Sequence, residues 1–181
     1  MRIATALGAA VIALAALPAQ AEDITIKMHA ISADGVGKEL GTIRAVDTKN
    51  GLRLVPKLSG LPAGQHGFHL HEKASCGSKG ADGKTGPGLA AGGHFDPGKT
   101  GKHLGPKGEG HQGDLPAITV DDQGNATKAV TAPRLKVADL WGRALMIHEG
   151  GDNYADQPKP LGGGAGRIAC GTIKKAAAKK Q

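Results

Sequence analysis

The chain has 181 residues, of which 30 are glycine, 10 are proline and 2% are aromatic, and its formal net charge is +7. This much glycine and proline favours turns and long loops over helices. A basic chain can bind nucleic acid, but stacking side chains are nearly absent and the basic residues are scattered, so we expect no nucleic-acid partner. We interpret the densest basic cluster, residues 174–180, as a solvated end of the chain.

The first 21 residues have the pattern of a secretory signal peptide. Arg2 gives a positive start, residues 3–17 are apolar or small, and Ala19 and Ala21 form a small-x-small cleavage pattern. The apolar run is shorter than the roughly 20 residues that span a bilayer, so we expect no membrane insertion. We therefore predict that residues 1–21 are removed on export and that residues 22–181 form one domain.

Short runs of alternating apolar and polar residues recur between turn signals. In the first run, Ile24, Ile26 and Met28 alternate with polar residues, as in a half-buried strand. The Asn50-Gly51 pair favours a tight hairpin between two later runs. The runs lie at residues 24–30, 40–46, 52–58, 67–71, 117–120, 126–131, 144–148 and 168–173. With no convincing helical period, the pattern predicts an all-β antiparallel sandwich or barrel.

Two long glycine-rich segments, residues 72–114 and 149–166, interrupt the strands. Loops of this length are uncommon in a compact domain unless something fixes them. Cys76 and Cys170 are the two cysteines of the sequence and lack CxxC spacing, so in an exported chain we predict one structural disulfide. The other constraint that we expect on the loops is a bound metal.

Three histidines lie on predicted strands. His69 and His71 are two residues apart, so their side chains project from one face, while the apolar residues beside them point inward. Buried imidazoles need partners, so the pair indicates a metal-binding edge. His148 ends another strand and can supply a third nitrogen. Imidazole binds copper as well as zinc, and spacing alone does not decide between the two metals.

The first long loop carries a second group of polar side chains, set among glycines and prolines that let the backbone fold around an ion. Its members are His94, His103, His111 and Asp114. Three imidazole nitrogens and one carboxylate oxygen make a closed tetrahedral set suited to Zn²⁺.

Several segments are distinctive when taken together. They are residues 67–71 (GFHLH), 92–97 (GGHFDP), 111–116 (HQGDLP), 142–148 (GRALMIH) and 166–171 (GRIACG). In this order they resemble the copper/zinc superoxide dismutases. Residues 151–154 (GDNY) and 159–164 (KPLGGG) resemble the bacterial periplasmic branch of that family.

The resemblance implies an eight-stranded antiparallel Greek-key β-barrel, an immunoglobulin-like sandwich, with two long functional loops. It implies two cofactors, a copper ion and a zinc ion, with His94 bridging them. The implied ligands are His69, His71, His94 and His148 for copper, and His94, His103, His111 and Asp114 for zinc. It also implies that the disulfide joins Cys76 to Cys170.

The resemblance further implies roles for two residues outside these sets. Asp152 would link a copper-ligand histidine to a zinc-ligand one. Arg167 would attract and orient the substrate, the superoxide anion, and would be catalytic together with His94. The expected reaction is dismutation of superoxide to dioxygen and hydrogen peroxide in the periplasm, which protects the cell envelope. A monomer and a homodimer both remain open.

Alternatives exist for the function and for Arg167. A periplasmic metal-storing protein would use the same ligands but would need no arginine that guides an anion. A zinc hydrolase would need a carboxylate base beside an open zinc, whereas the predicted zinc set is closed. Arg167 itself could instead be a surface arginine that bonds loop carbonyls.

Overall fold

The structure is a computed structural model that describes residues 23–175, which contain nine strands and three short 3₁₀ helices. The strands are β1 (Asp23–Ser32), β2 (Gly35–Thr48), β3 (Gly51–Leu58), β4 (Gly64–His66), β5 (Phe68–His71), β6 (Ile118–Val120), β7 (Val130–Ala132), β8 (Arg143–His148) and β9 (Arg167–Ile173). The 3₁₀ helices are Leu89–Ala91, Val137–Leu140 and Pro160–Gly163. The predicted signal peptide lies outside the described residues. Within them, no helix has the length and apolar character needed to cross a membrane.

All of the strand pairs are antiparallel, as the alternating runs predicted. In the described part of the chain, seven strands form one sheet in the order β5-β8-β9-β1-β2-β3-β7, and β4 pairs with β6. Neighbours such as β3 and β7 are distant in sequence, and the chain passes through β4, β5 and β6 between them. Gly67 alone separates β4 from β5, and counting these two as one bent strand gives the predicted eight.

One strand is shorter than its sequence pattern predicted. Alternation over residues 126–131 predicted a continuous strand, but only its end belongs to β7, and Ala126 forms an isolated bridge with β3. The pairs on either side place Lys128 opposite Pro56. Proline has no N–H to donate, so the ladder is interrupted at that pair. The alternation within residues 126–131 could not predict this break, because it says nothing about the residues of the partner strand.

The strands enclose an aliphatic core that contains Phe68, and a second, smaller cluster surrounds the disulfide. The members of this smaller cluster are Ile31, Cys76, Ala91, Ala144, Met146 and Cys170. The predicted disulfide between Cys76 and Cys170 is present and joins the first long loop to β9. That loop is therefore fixed against the sheet both covalently and by packing.

Candidate metal centre

Strand β5 holds the metal centre together because it pairs with β8 on one edge and with the first long loop on the other. The Leu70 amide donates to the carbonyl oxygen of Gly113 at 2.9 Å, and the Phe95 amide donates to that of Leu70 at 2.8 Å. A side chain at Gly113 would overlap the carbonyl oxygen of Leu70, so this approach requires glycine. A backbone bridge between His71 and His94 completes the pairing. The histidines of the loop consequently lie beside those of the strand.

Four buried imidazoles meet at this edge, each with one ligand atom within 4.8 Å of the other three. They are His69, His71, His94 and His148. Among the described residues, four of their ring nitrogens are buried without a hydrogen-bond partner: His69 Nδ1, His71 Nε2, His94 Nε2 and His148 Nε2. A buried polar atom without a partner costs free energy, and a metal ion that prefers imidazole would remove that cost. These residues fit such an ion.

A second group converges on the carboxylate of Asp114. Its Oδ1 lies 3.0 Å from His94 Nδ1 and 3.0 Å from His103 Nδ1. His111 Nδ1 lies 3.4 Å from the same oxygen. In the described structure, the Nδ1 atoms of His103 and His111 are buried and lack a hydrogen bond. Three nitrogens and one oxygen are thus gathered with the chemistry of a tetrahedral zinc site, and His94 faces both groups through its two nitrogens.

Asp152 lies behind both groups, and its carboxylate is fully buried. His69 Nε2 donates to Oδ2 at 2.9 Å, and His103 Nε2 donates to Oδ1 at 2.8 Å. These bonds turn the Nδ1 atoms of both rings inward, which is what outer partners of metal-binding histidines do. The structure therefore places Asp152 between the two groups.

The pKa values of the histidines differ between the two groups. Burial lowers the pKa of His94 to about 4 and that of His148 to about 2. Burial acts in the same direction on His103, but the carboxylates of Asp114 and Asp152 outweigh it and raise its pKa to about 9. Metals bind the neutral form of imidazole, so the first group is ready for a metal at neutral pH. His103 must first release a proton.

Arg167 begins β9 and pairs with His148 of β8 in the sheet. Its Nη1 donates to the carbonyl oxygen of Gly88 at 2.6 Å, and its Nη2 donates to that of Gly92 at 2.7 Å. The same Gly92 oxygen accepts a bond from His71 Nδ1 at 3.0 Å. Burial is the main cause of the lowered pKa of His71, and the charge of Arg167 adds to it. The arginine therefore bonds loop carbonyls and also lies beside the first group.

Sequence reasoning identified the side chains that gather here and allowed for loop carbonyls as partners of Arg167, but it did not identify the main-chain groups that hold these side chains. The carbonyls of Gly88 and Gly92 orient Arg167. The amides of Leu104 and Gly105 donate to Asp114 Oδ2 at 3.1 and 3.2 Å. Every residue has these main-chain atoms, so no residue type marks them in a sequence.

Fold and site together define a class: an antiparallel β-sheet protein with adjoining positions for two metal ions. The family model described as copper/zinc superoxide dismutase matches residues 40–173. A superoxide dismutase [Cu-Zn] of Escherichia coli (strain K12) is 52% identical over 157 residues, which cover 86% of this chain and 91% of that protein.

Solved structures agree with this match. The Cu/Zn superoxide dismutase from Brucella abortus has a TM-score of 0.81 and 49% identity, over 84% of this chain and 99% of that one. The monomeric copper, zinc superoxide dismutase from Salmonella enterica has a TM-score of 0.75 and 52% identity, over 84% of this chain and 100% of that one. The chain belongs to the copper/zinc superoxide dismutase family. The Greek-key barrel, the two metal cofactors and the dismutase activity predicted from the sequence are confirmed at the level of the family.

Proposed function

We propose that this chain dismutates superoxide with a copper ion and a zinc ion that share one histidine. Copper would be bound by His69 Nδ1, His71 Nε2, His94 Nε2 and His148 Nε2. Zinc would be bound by His94 Nδ1, His103 Nδ1, His111 Nδ1 and Asp114 Oδ1. The observation that carries this assignment is the set of six buried imidazole nitrogens without a hydrogen bond in residues 23–175. Four of them gather in the first group, and those of His103 and His111 lie 3.0 and 3.4 Å from Asp114 Oδ1.

The reaction converts two superoxide anions and two protons into dioxygen and hydrogen peroxide. A bound copper ion would supply the one-electron couple that this reaction needs. The chain contributes orientation and a proton position. His94 Nε2 is buried without a hydrogen-bond partner among the described residues, so while it is not bound to copper it can hold a proton next to the reacting anion. Asp152 keeps His69 and His103 turned inward.

Arg167 is the feature that favours an enzyme over a metal store. Its guanidinium is held by two loop carbonyls beside the copper group and has a fixed positive charge. Such a charge attracts a small anion and orients it, whereas storage of a cation gains nothing from a neighbouring positive charge. We assign the guidance of the anion to Arg167 and the bridge between the two metal ions to His94.

We also propose that the protein works in the periplasm after removal of residues 1–21. The disulfide between Cys76 and Cys170 supports this location, because such bonds persist in oxidising compartments. Protein purified from the periplasmic fraction should have the mass of residues 22–181. Full-length mass, or recovery from the cytoplasm, would contradict the proposal.

The metal assignment is tested by variants that remove one ligand from each group. Metal-free protein is loaded with copper and zinc, and both metals are measured by elemental analysis. Wild type should bind one of each per chain. His71→Gln should lose copper and keep zinc, and His111→Gln should lose zinc first. The control is His29→Gln, a half-buried histidine of β1 outside both groups, which should keep both metals. Loss of the same metal in both ligand variants would overturn the assignment.

A further inference from the structure

The second long loop passes over the Asp152 carboxylate at Gly162, which is buried. The Gly162 amide donates to the Ala155 carbonyl oxygen at 3.0 Å, and the Asn153 amide donates to the Gly162 carbonyl oxygen at 3.1 Å. These two bonds fix the Gly162 backbone on both sides of the turn that carries Tyr154. The loop cannot move away from Asp152 without breaking them.

No side chain fits at this position. A Cβ on Gly162 would overlap Asp152 Oδ1 and would lie 2.7 Å from Asp152 Cγ and 2.8 Å from His103 Nε2. Carbon atoms in real contacts are not this close, so the carboxylate or the ring would have to move. The two atoms that would be displaced are the acceptor and the donor of the 2.8 Å bond between Asp152 and His103.

We infer that Gly162 is a positioning residue: its bare backbone closes over the bond between Asp152 and His103, keeps water away from it and so holds His103 Nδ1 toward zinc. This inference rests on the proposed metal assignment. Water between the carboxylate and the imidazole would replace one fixed bond by mobile ones, and the His103 ring would lose its orientation. Partners behind metal ligands typically contribute about 10–100-fold in metal affinity.

The neighbouring Gly163 provides a matched control. Both glycines have left-handed backbone, with φ of 70° at Gly162 and 76° at Gly163, so alanine causes similar backbone strain at either position. Of the described residues, a Cβ on Gly163 would meet only the side chain of Lys159, at 3.5 Å and beyond. The difference between the two alanine variants therefore reports the contact with Asp152 and His103, and not the strain.

The test measures zinc affinity by competition with a chelator, and the electron paramagnetic resonance spectrum of copper in the copper-loaded protein. Gly162→Ala should bind zinc at least tenfold more weakly than wild type and should alter the copper spectrum, because Asp152 also holds His69. Gly163→Ala should stay within twofold of wild type in zinc affinity and keep the wild-type spectrum. Zinc affinity of Gly162→Ala within twofold of wild type would overturn the inference.

A second pair of variants tests whether Gly162→Ala acts through the Asp152 carboxylate or through the rest of the fold. In an Asp152→Ala background, Gly162→Ala should reduce zinc affinity by less than threefold further, because the Asp152 carboxylate and the bond to His103 that the new side chain would disturb are already gone. An equal loss in both backgrounds would overturn the inference, as would unfolding of both Gly162→Ala proteins while Gly163→Ala folds. If Gly162→Ala alone fails to fold and the double variant folds, the inference is supported. Absence of zinc from wild type would instead refute the proposed metal assignment.

Discussion

At the scale of single residues, the metal centre depends on which nitrogen of each imidazole faces inward. The Asp152 carboxylate accepts hydrogen bonds from Nε2 of His69 and Nε2 of His103, so the Nδ1 atoms of both rings face the centre. The Gly92 carbonyl oxygen accepts a hydrogen bond from Nδ1 of His71, so Nε2 of that ring faces the centre. The hydrogen bond on one side of an imidazole thus decides which atom on the other side is free for a metal.

The residue that most directly links this geometry to turnover is Arg167. In Arg167→Ile we expect turnover to fall about tenfold, which corresponds to about 1.4 kcal/mol of lost stabilisation of the reacting anion. The copper and zinc contents should not change, because the arginine is not a ligand. The rate should also respond less to salt, because one of the charges that salt screens has been removed. Superoxide decay is measured at several ionic strengths.

The matched control is Arg53→Ile, which removes the same charge from an exposed position on β3. It should leave turnover almost unchanged. If Arg167→Ile is as active as this control with both metals bound, Arg167 has no part in the reaction.

At the scale of secondary-structure elements, the sequence predicted the strands that carry ligands better than it predicted the loops. Alternation placed His69 and His71 on one face of a strand, which β5 confirms. The path of the first long loop depends on main-chain bonds to β5, such as the one between Gly113 and Leu70, and these could not be predicted from residue types. The break in pairing opposite Pro56 likewise depends on a partner strand that is distant in sequence.

In the candidate site too, side chains could be predicted from the sequence and main-chain contacts could not. The side chains that gather in the two groups could be predicted, because histidine and aspartate have few other reasons to cluster in glycine-rich sequence. Loop carbonyls were an alternative for Arg167 in the sequence, but the particular ones, those of Gly88 and Gly92, could not be predicted. The role inferred for Gly162 could not be predicted from the sequence, because the absence of a side chain matters only where other atoms occupy its place.

The disulfide connects these elements, so removing it should affect stability and metal binding together. The cysteines are 94 residues apart, and closing a loop of that length stabilises by about 5 kcal/mol in the chain-entropy account. The Cys76→Ser/Cys170→Ser double variant should therefore melt about 10–20 °C lower, given about 2–4 °C per kcal/mol. It should also bind zinc more weakly, since the loop that carries the proposed zinc ligands loses its anchor. Calorimetry and chelator competition measure the two effects.

Reductant provides the control for this variant. It should lower the melting temperature of wild type toward that of the double variant and have no effect on the double variant. Equal stability of the two oxidised proteins would contradict a structural role of the bond.

At the scale of the whole molecule, the buried histidines should make the metal-free protein sensitive to acid. In the unfolded chain these side chains take up protons near pH 6.5, whereas burial lowers the pKa of His94 to about 4 and that of His148 to about 2 in the fold. Below pH 6.5 the unfolded state therefore binds more protons, and stability falls as the pH is lowered. His103 acts in the opposite sense, because its contribution is complete below pH 6.5 and is lost as the pH rises toward 9.

The metal-free protein should accordingly be most stable near neutral pH and melt at least about 10 °C lower at pH 4.5, from several kcal/mol of lost stability. Scanning calorimetry across this range measures the effect. The His148→Gln variant should lose less stability on acidification, because one buried titrating group is gone. A melting temperature that stays constant between pH 6.5 and 4.5 would contradict the account.

The central claim is that the two histidine groups form one copper and zinc centre that turns over superoxide. The most direct measurement is the decay of a superoxide pulse in the presence of mature protein loaded with both metals, compared with protein loaded with zinc alone. We expect decay proportional to protein concentration with both metals, and no catalysis with zinc alone. Protein that holds both metals and leaves superoxide decay unchanged would contradict the account and favour metal storage.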